Sequence, residues 1–266
     1  MMHDSLVNRT IVVTRGEEQA QAMLATIESL GGTAVWFPTV KISPIRDRSE
    51  CESVARNLDE YDWIVFTSAN AVRFFEEMTK RLSRDKADCR VVAVGKKTAE
   101  ELEQRGVSVD IIPATFSARG VLESLEDSDV HKKRFLLPLS NIARDELREG
   151  LEAKGGKVKR IEVYRTDPNH EINGNSMQQM IERDEVDCLT FCSPSAFRFF
   201  TEIVGAKAVS RIIKRKIAVG AIGPTTSRAI EEAGIENIIM PRKSDVEELI
   251  SAIVLYFATH LNGSAV

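Results

Sequence analysis

Along most of this chain, short uninterrupted apolar runs alternate with segments in which apolar positions recur every three or four residues. The first pattern marks strands covered on both faces, and the second marks amphipathic helices. The change between them is sharpest at residues 61–75, YDWIVFTSANAVRFF. Trp63, Ile64, Val65 and Phe66 form the strand-like run. Thr67-Ser68-Ala69-Asn70 interrupts it, and Val72, Phe75, Met78 and Leu82 continue at helical spacing. The stretch predicts a strand, a turn and a helix that begins inside the tetrapeptide. A helix start at the carboxyl end of a parallel strand favours anions, because unpaired N–H groups and the positive end of the helix dipole point there.

The same layout returns at residues 187–200, DCLTFCSPSAFRFF. Asp62 aligns with Asp187, Phe66 with Phe191, Ser68 with Ser193, and Arg73-Phe74-Phe75 with Arg198-Phe199-Phe200. The repeat extends further. Residues 10–32, a βα unit stopped by Gly31-Gly32, match residues 134–156, which end in Gly155-Gly156. Residues 90–113 match 216–241, bringing Gly95, Thr98, Gly106 and Pro113 opposite Gly223, Thr226, Gly234 and Pro241. Between these blocks, Val35 to Ile42 reads as an extended edge strand or connector because of Pro38, and Lys157 to Thr166 is its counterpart, with Val40 opposite Tyr164. A polar helix around Cys51 to Leu58, a strand at Val109 to Ile112 and a helix near Ala118 to Leu125 complete the first copy. A last helix opens with the capping-box pattern Ser244-Asp245-Val246-Glu247. The chain is therefore expected to form two similar α/β domains, each with about four parallel strands. On the pattern alone, the first βα unit belongs either with the strands just after it or with those of the C-terminal third.

A length of 266 residues suits two domains. Composition narrows the class. Hydrophobic content of 43% with 29% charged residues describes a globular protein, and a net charge of -4 argues against a general nucleic-acid binder. No apolar stretch reaches membrane-spanning length and Met1 to Asn8 lacks the features of a signal peptide, so a cytoplasmic protein without membrane contact is expected. The four cysteines, Cys51, Cys89, Cys188 and Cys192, show no CxxC spacing and read as reduced, buried fillers. His3, His131, His170 and His260 are scattered, so no metal cluster is expected.

Nucleotide motifs are absent. There is no GxGxxG, and Gly95-Lys96-Lys97 only echoes a Walker A loop, since Arg90 stands where glycine is needed and Lys97 where a hydroxyl is needed. A GxSxG elbow is missing too, which argues against acyl transfer. What remains is a set of hydroxyls at strand-to-helix turns, Thr67-Ser68, Thr98, Ser193 and Thr225-Thr226. Each alone reads as a helix N-cap. Together, if the two sheets face each other, they would line a cleft for a ligand bearing several carboxylates. Arg15, just after the first strand, is either a cation at that edge or half of a surface salt bridge. Tyr164 is either an apolar anchor or a phenol aimed at the cleft. Arg211, Lys214, Arg215 and Lys216 read as a solvated helix end.

The ordered set VTR at Val13 to Arg15, YDWIVFTSANAV at Tyr61 to Val72, AVGKKTAEEL at Ala93 to Leu102, VYRT at Val163 to Thr166, FCSPSA at Phe191 to Ala196 and IGPTTSRAI at Ile222 to Ile230 resembles the uroporphyrinogen-III synthase family. The likeness runs from about Thr10 to Leu255. Leu139 stands where many members have arginine, and Gly16 where proline is common.

The resemblance implies two flavodoxin-like or Rossmann-like domains with parallel sheets, joined by a two-stranded connector. It assigns residues 1–37 with 168–266 to one discontinuous domain and 42–162 to the other, with connectors 38–41 and 163–167 that would hinge. It implies a lyase without cofactor or metal that closes hydroxymethylbilane to uroporphyrinogen III, inverting ring D and losing water. Tyr164 would be the general acid, and Arg15, Ser68, Ala69, Thr98, Ser193 and Thr226 would bind substrate. The expected partner is that small molecule, handed over by hydroxymethylbilane synthase to a monomer. A non-catalytic two-lobed protein binding a small polycarboxylate is the alternative.

Overall fold

The computed structural model describes residues 5–80 and 89–260. Leu82, His3 and the segment after His260 lie outside them. In chain order, β1 (Thr10–Val13), α1 (Glu17–Ser29) and β2 (Thr33–Trp36) precede β3 (Val40–Pro44), α2 (Ser49–Arg56), β4 (Trp63–Phe66) and α3 (Ala69–Thr79). Then come β5 (Arg90–Ala93), α4 (Lys96–Glu103), α5 (Ala118–Ser124), α6 (Asp127–Val130), β6 (Arg134–Ser140), α7 (Glu146–Ala153) and β7 (Lys157–Pro168). The last third holds α8 (Gly174–Glu182), β8 (Cys188–Phe191), α9 (Pro194–Arg215), β9 (Ala218–Ala221), α10 (Pro224–Glu231), β10 (Ile238–Ile239) and α11 (Val246–His260).

The chain divides into two units, Met1–Lys41 with Asp167–Val266, and Ile42–Thr166. The first carries a sheet of order β10-β9-β8-β1-β2, and the other sheet runs β3-β7-β6-β4-β5. Matching the repeats gives both sheets the same order: β2-β1-β8-β9 corresponds to β7-β6-β4-β5. In the first unit this is the flavodoxin-like order 2-1-3-4-5. Strand pairing is parallel at β1–β2, β1–β8, β8–β9, β9–β10, β4–β5, β4–β6 and β6–β7. Alternation of side chains splits each sheet between two cores. Val12 joins a cluster with Phe191 and Phe200, while Ile11 and Val13 join one with Met23 and Leu249. In the second unit, Ile64 and Phe66 face Phe75 and Leu102, while Trp63 and Val65 face Phe135 and Leu151.

Each sheet has five strands, one more than the sequence suggests. Two-residue β10 supplies the extra strand in the first sheet, and β3, at the edge beside β7, supplies it in the second. The strand predicted at Val109 to Ile112 is reduced to a single bridge between Val92 and Ile111. Asp110 is the reason, since its carboxylate takes the Val91 N–H at 2.7 Å that a longer ladder would use. The final helix is capped one residue later than predicted. The Asp245 carboxylate accepts the Glu247 N–H at 2.8 Å, and Ser244 is outside the cap. Cys51 and Cys188 are buried as expected, whereas Cys89 and Cys192 are only half-buried. Burial still pushes the Cys51 thiol up to about 11 and those of Cys89 and Cys188 to about 12, so all three stay protonated at neutral pH.

The aligned aspartates do the same job twice. Asp187 accepts the Thr10 N–H and the Arg9 guanidinium, each at 2.8 Å, tying β8 to β1. Asp62 accepts the Arg134 N–H and the Lys133 ammonium, each at 2.8 Å, tying β4 to β6. Burial alone would raise the Asp62 carboxyl, but the hydrogen bonds from Lys133 and Arg134 and their charges hold it below the usual range. A carboxyl depressed in the folded state stabilises fully above its unfolded value of about 3.9 and loses that contribution as pH falls through the folded value. Asp62→Asn is therefore expected to cost stability at pH 7 and to converge with wild type in acid. Urea unfolding at pH 7 and pH 3 checks this, and an equal deficit at both would contradict it.

Candidate functional site at the carboxyl edges

In each sheet, the carboxyl ends of adjacent strands whose connections run in opposite directions open a crevice, and open α/β sheets bind ligands there. That point lies between β1 and β8 in the first unit, and between β6 and β4 in the second.

In the second unit, β4 ends at Phe66, and Ser68 leaves the strand with extended backbone, φ -157° and ψ 153°. Its Oγ accepts the Ala71 N–H at 3.1 Å, so Ser68 is the N-cap of α3. The same Oγ is 3.1 Å from the Tyr164 hydroxyl. Tyr164 is 8% exposed and stacks on Phe74 with centroids 5.4 Å apart and planes 14° off parallel, so its ring is an apolar anchor while its hydroxyl reaches the helix start. The ring thus fits the anchor reading, and the hydroxyl meets Ser68 at the start of α3. Ala69 is the first residue of α3.

The neighbouring turn is different. Gly95 caps α4 with no side-chain hydrogen bond, at a φ of 105° that a residue with a Cβ would occupy only under strain. Thr98 is 3% exposed and its hydroxyl turns back to the Val94 carbonyl at 3.4 Å. What this turn offers a ligand is therefore the start of α4, flanked by exposed Lys96 and Lys97. Phe116, 57% exposed, lays its ring over Gly95 at the same edge. Asn141, at the end of β6, accepts the Thr166 N–H at 2.7 Å and fixes the end of β7, two residues beyond Tyr164.

In the first unit, Ser193 repeats the cap, its Oγ accepting the Ala196 N–H at 3.1 Å, but its second contact is Ser195 Oγ at 3.0 Å instead of a phenol. Thr226 is 3% exposed, like Thr98, whereas Thr225 beside it is exposed. Gly223 is the cap of α10 and Pro224 its first residue, so Thr226 sits at the third helical position, buried against the unit. Ser244 Oγ stands over Gly223, 2.5 Å from where a Cβ would be, and adds a hydroxyl to this turn. Arg15 hydrogen-bonds neutral Gln19 at 2.9 Å, and its Nε is buried without a partner. Among the described residues no carboxylate pairs with it. Its charge partly offsets the burial that raises the Cys192 thiol, and the pairing of Val13 with Thr190 sets the ends of β1 and β8 side by side.

The structure thus brings Ser68, Ala69 and Tyr164 together in one unit and sets Arg15 and Ser193 just past the paired strands β1 and β8 in the other, while Thr98 and Thr226 are buried. The aromatic in PATFSARG and the GP dipeptide at 223–224 were the available signals for Phe116 and for the true helix start. Ser244 and Asn141 carry no local signal. Among the described residues no cluster of His, Cys, Asp and Glu could hold a metal ion, and no helix is long and apolar enough to cross a membrane.

Taken together, the fold and edges define a two-unit, flavodoxin-like α/β protein with hydroxyl, N–H and cationic groups at the carboxyl ends of its strands. The profile described as uroporphyrinogen-III synthase HemD matches residues 21–251. The uroporphyrinogen-III synthase of Chlorobaculum parvum is 30% identical over 249 residues, covering 92% of this chain and 98% of its own length. That of Synechococcus elongatus is 25% identical, covering 87% and 89%. A crystal structure of a mutant uroporphyrinogen III synthase from the extremely thermophilic bacterium Thermus thermophilus shares the fold, with a TM-score of 0.69 at 19% identity over 95% of this chain and 99% of that one. The chain belongs to the uroporphyrinogen-III synthase family.

Proposed function

We propose that this protein closes hydroxymethylbilane to uroporphyrinogen III, a lyase reaction that inverts ring D and releases water. The observation that carries the reading is the Tyr164 hydroxyl, set 3.1 Å from Ser68 Oγ at the positive end of α3 and beside the crevice of its sheet. Closing a linear tetrapyrrole requires folding a floppy chain and protonating its departing hydroxyl more than it requires a strong base. Phenols carry a proton at neutral pH and can donate it. The pyrrole nitrogen's electron pair pushes out the hydroxyl as water, and the phenol regains its proton when the closed ring sheds one. The starts of α3 and α4, with Lys96 and Lys97, supply donors for substrate carboxylates in one unit. Arg15, Ser193 and the exposed Thr225 do so in the other.

Incubation with freshly made hydroxymethylbilane, followed by oxidation and separation of the isomers, tests the reading. The expected product is isomer III. Formation of isomer I alone, which arises spontaneously, would overturn it, and tight binding of product in that case would leave a binding protein.

A further inference from the structure

The two copies of the cap differ in one respect. Ser68 and Ser193 each spend a lone pair on the N–H three residues ahead, at 3.1 Å in both cases. Beyond that, Ser193 meets a serine hydroxyl and Ser68 meets a phenol. The residue opposite Tyr164 in the repeat is Val40, so only one copy has this pairing.

We infer that Ser68 is a positioning residue that acts through Tyr164, donating its O–H to the phenol oxygen as the phenol gives up its own proton; this rests on the proposed ring closure. Ser68 Oγ already accepts from Ala71, and it stands at the N-terminus of an eleven-residue helix, whose positive end favours polarisation of its O–H toward an acceptor. The phenol ring cannot swing away, since Phe74 stacks on it and the ring is buried in the core of its unit. With Ser68 as donor, the phenol's hydrogen points to the other side, away from the cap. In the step itself the Tyr164 O–H bond breaks and its proton joins the leaving hydroxyl as the C–O bond breaks. The electron pair stays on the phenol oxygen, and the Ser68 O–H faces the charge that develops there. A donor held in place for a developing oxyanion acts mainly on the transition state.

The helix cap and the donor role separate by substitution. Glycine caps almost as well as serine and fits the extended backbone here, and threonine keeps both the cap and the O–H. Ser68→Gly is expected to lower kcat about 10- to 100-fold with KM and product affinity changed by no more than about twofold. Ser68→Thr should restore most of the turnover. In a Tyr164→Phe background, Ser68→Gly should have no further effect on kcat, because the two act as one unit. Ser193→Gly, the matching change in the other unit, should raise KM instead. If Tyr164→Phe is slow while Ser68→Gly keeps its kcat, or if the two losses multiply, the inference fails and the proposed function stands. If Tyr164→Phe turns over like wild type, the inference fails together with the acid role of Tyr164, while the ring closure stands; if the wild-type protein yields only isomer I, the proposed ring closure fails as well.

Discussion

Tyr164→Phe should fold, bind product and turn over about 10²- to 10⁴-fold more slowly, the range that a positioned proton donor supplies. The change deletes one oxygen and keeps the ring, so the stack on Phe74 and the place in the core of Ile64, Phe66 and Phe75 are retained. The oxygen's protein partner is Ser68, which keeps its contact with Ala71 and remains a cap. Stability should therefore move little, since a hydrogen bond of this kind is worth about 1 kcal/mol net. The measurement is kcat and KM with freshly made hydroxymethylbilane, alongside a thermal melt. Turnover near wild type would show that the pyrrole nitrogen expels the hydroxyl unaided and that Tyr164 only packs. A melt far below wild type would show that the hydroxyl serves the fold.

Phe191→Ala should produce the largest loss of stability. Phe191 lies on a central strand of its sheet, is fully buried, and meets Phe197 and Phe200 edge-on, each with centroids 5.2 Å apart. Phe200 in turn meets Phe37 at 6.0 Å. Removing the ring leaves a void that its two aromatic neighbours, themselves packed in the same core, cannot fill by small shifts, and such truncations cost about 3–5 kcal/mol. Scanning calorimetry should show the transition of this unit lowered by roughly 10 °C. Where two transitions resolve, only one should move, because Phe66 and Phe75 build the equivalent core of the other unit among their own neighbours. A loss below about 1 kcal/mol would mean that the aromatic cluster collapses into the space.

The strand-to-helix changes at 61–75 and 187–200 were legible because burial on both faces of a sheet and one face of a helix leaves two distinct periods in the residues. The likeness of the two units was legible for the same reason, through the repeat, whereas the sheet that takes the first βα unit was not, because the pattern of β1 fits either set of neighbours. Hydroxyls were harder to place. Ser68 and Ser193 precede their helices as caps, whereas Thr98 and Thr226 fall three residues after theirs and point inward, and local spacing does not tell a cap from a third helical position until the cap is known. The strand at Val109 to Ile112 has the composition of a strand, yet one carboxylate, that of Asp110, took the donor it needed. The contact between Ser68 and Tyr164 joins residues 96 positions apart and leaves no trace in either segment.

The Asp187 latch also sets an order of events during synthesis. It closes on the Thr10 N–H across 177 positions of chain, and all of the unit Ile42–Thr166 lies between them. As the chain leaves the ribosome at roughly 5–20 residues per second, β1 and α1 emerge at once but wait about 10–35 s for β8. During that wait the intervening unit is complete and free to fold. The N-terminal strand, apolar on both faces and lacking its central neighbour, is the segment left open to chaperones or to pairing with another nascent chain. Vectorial synthesis therefore completes the unit Ile42–Thr166 before the unit that holds β1 and β8.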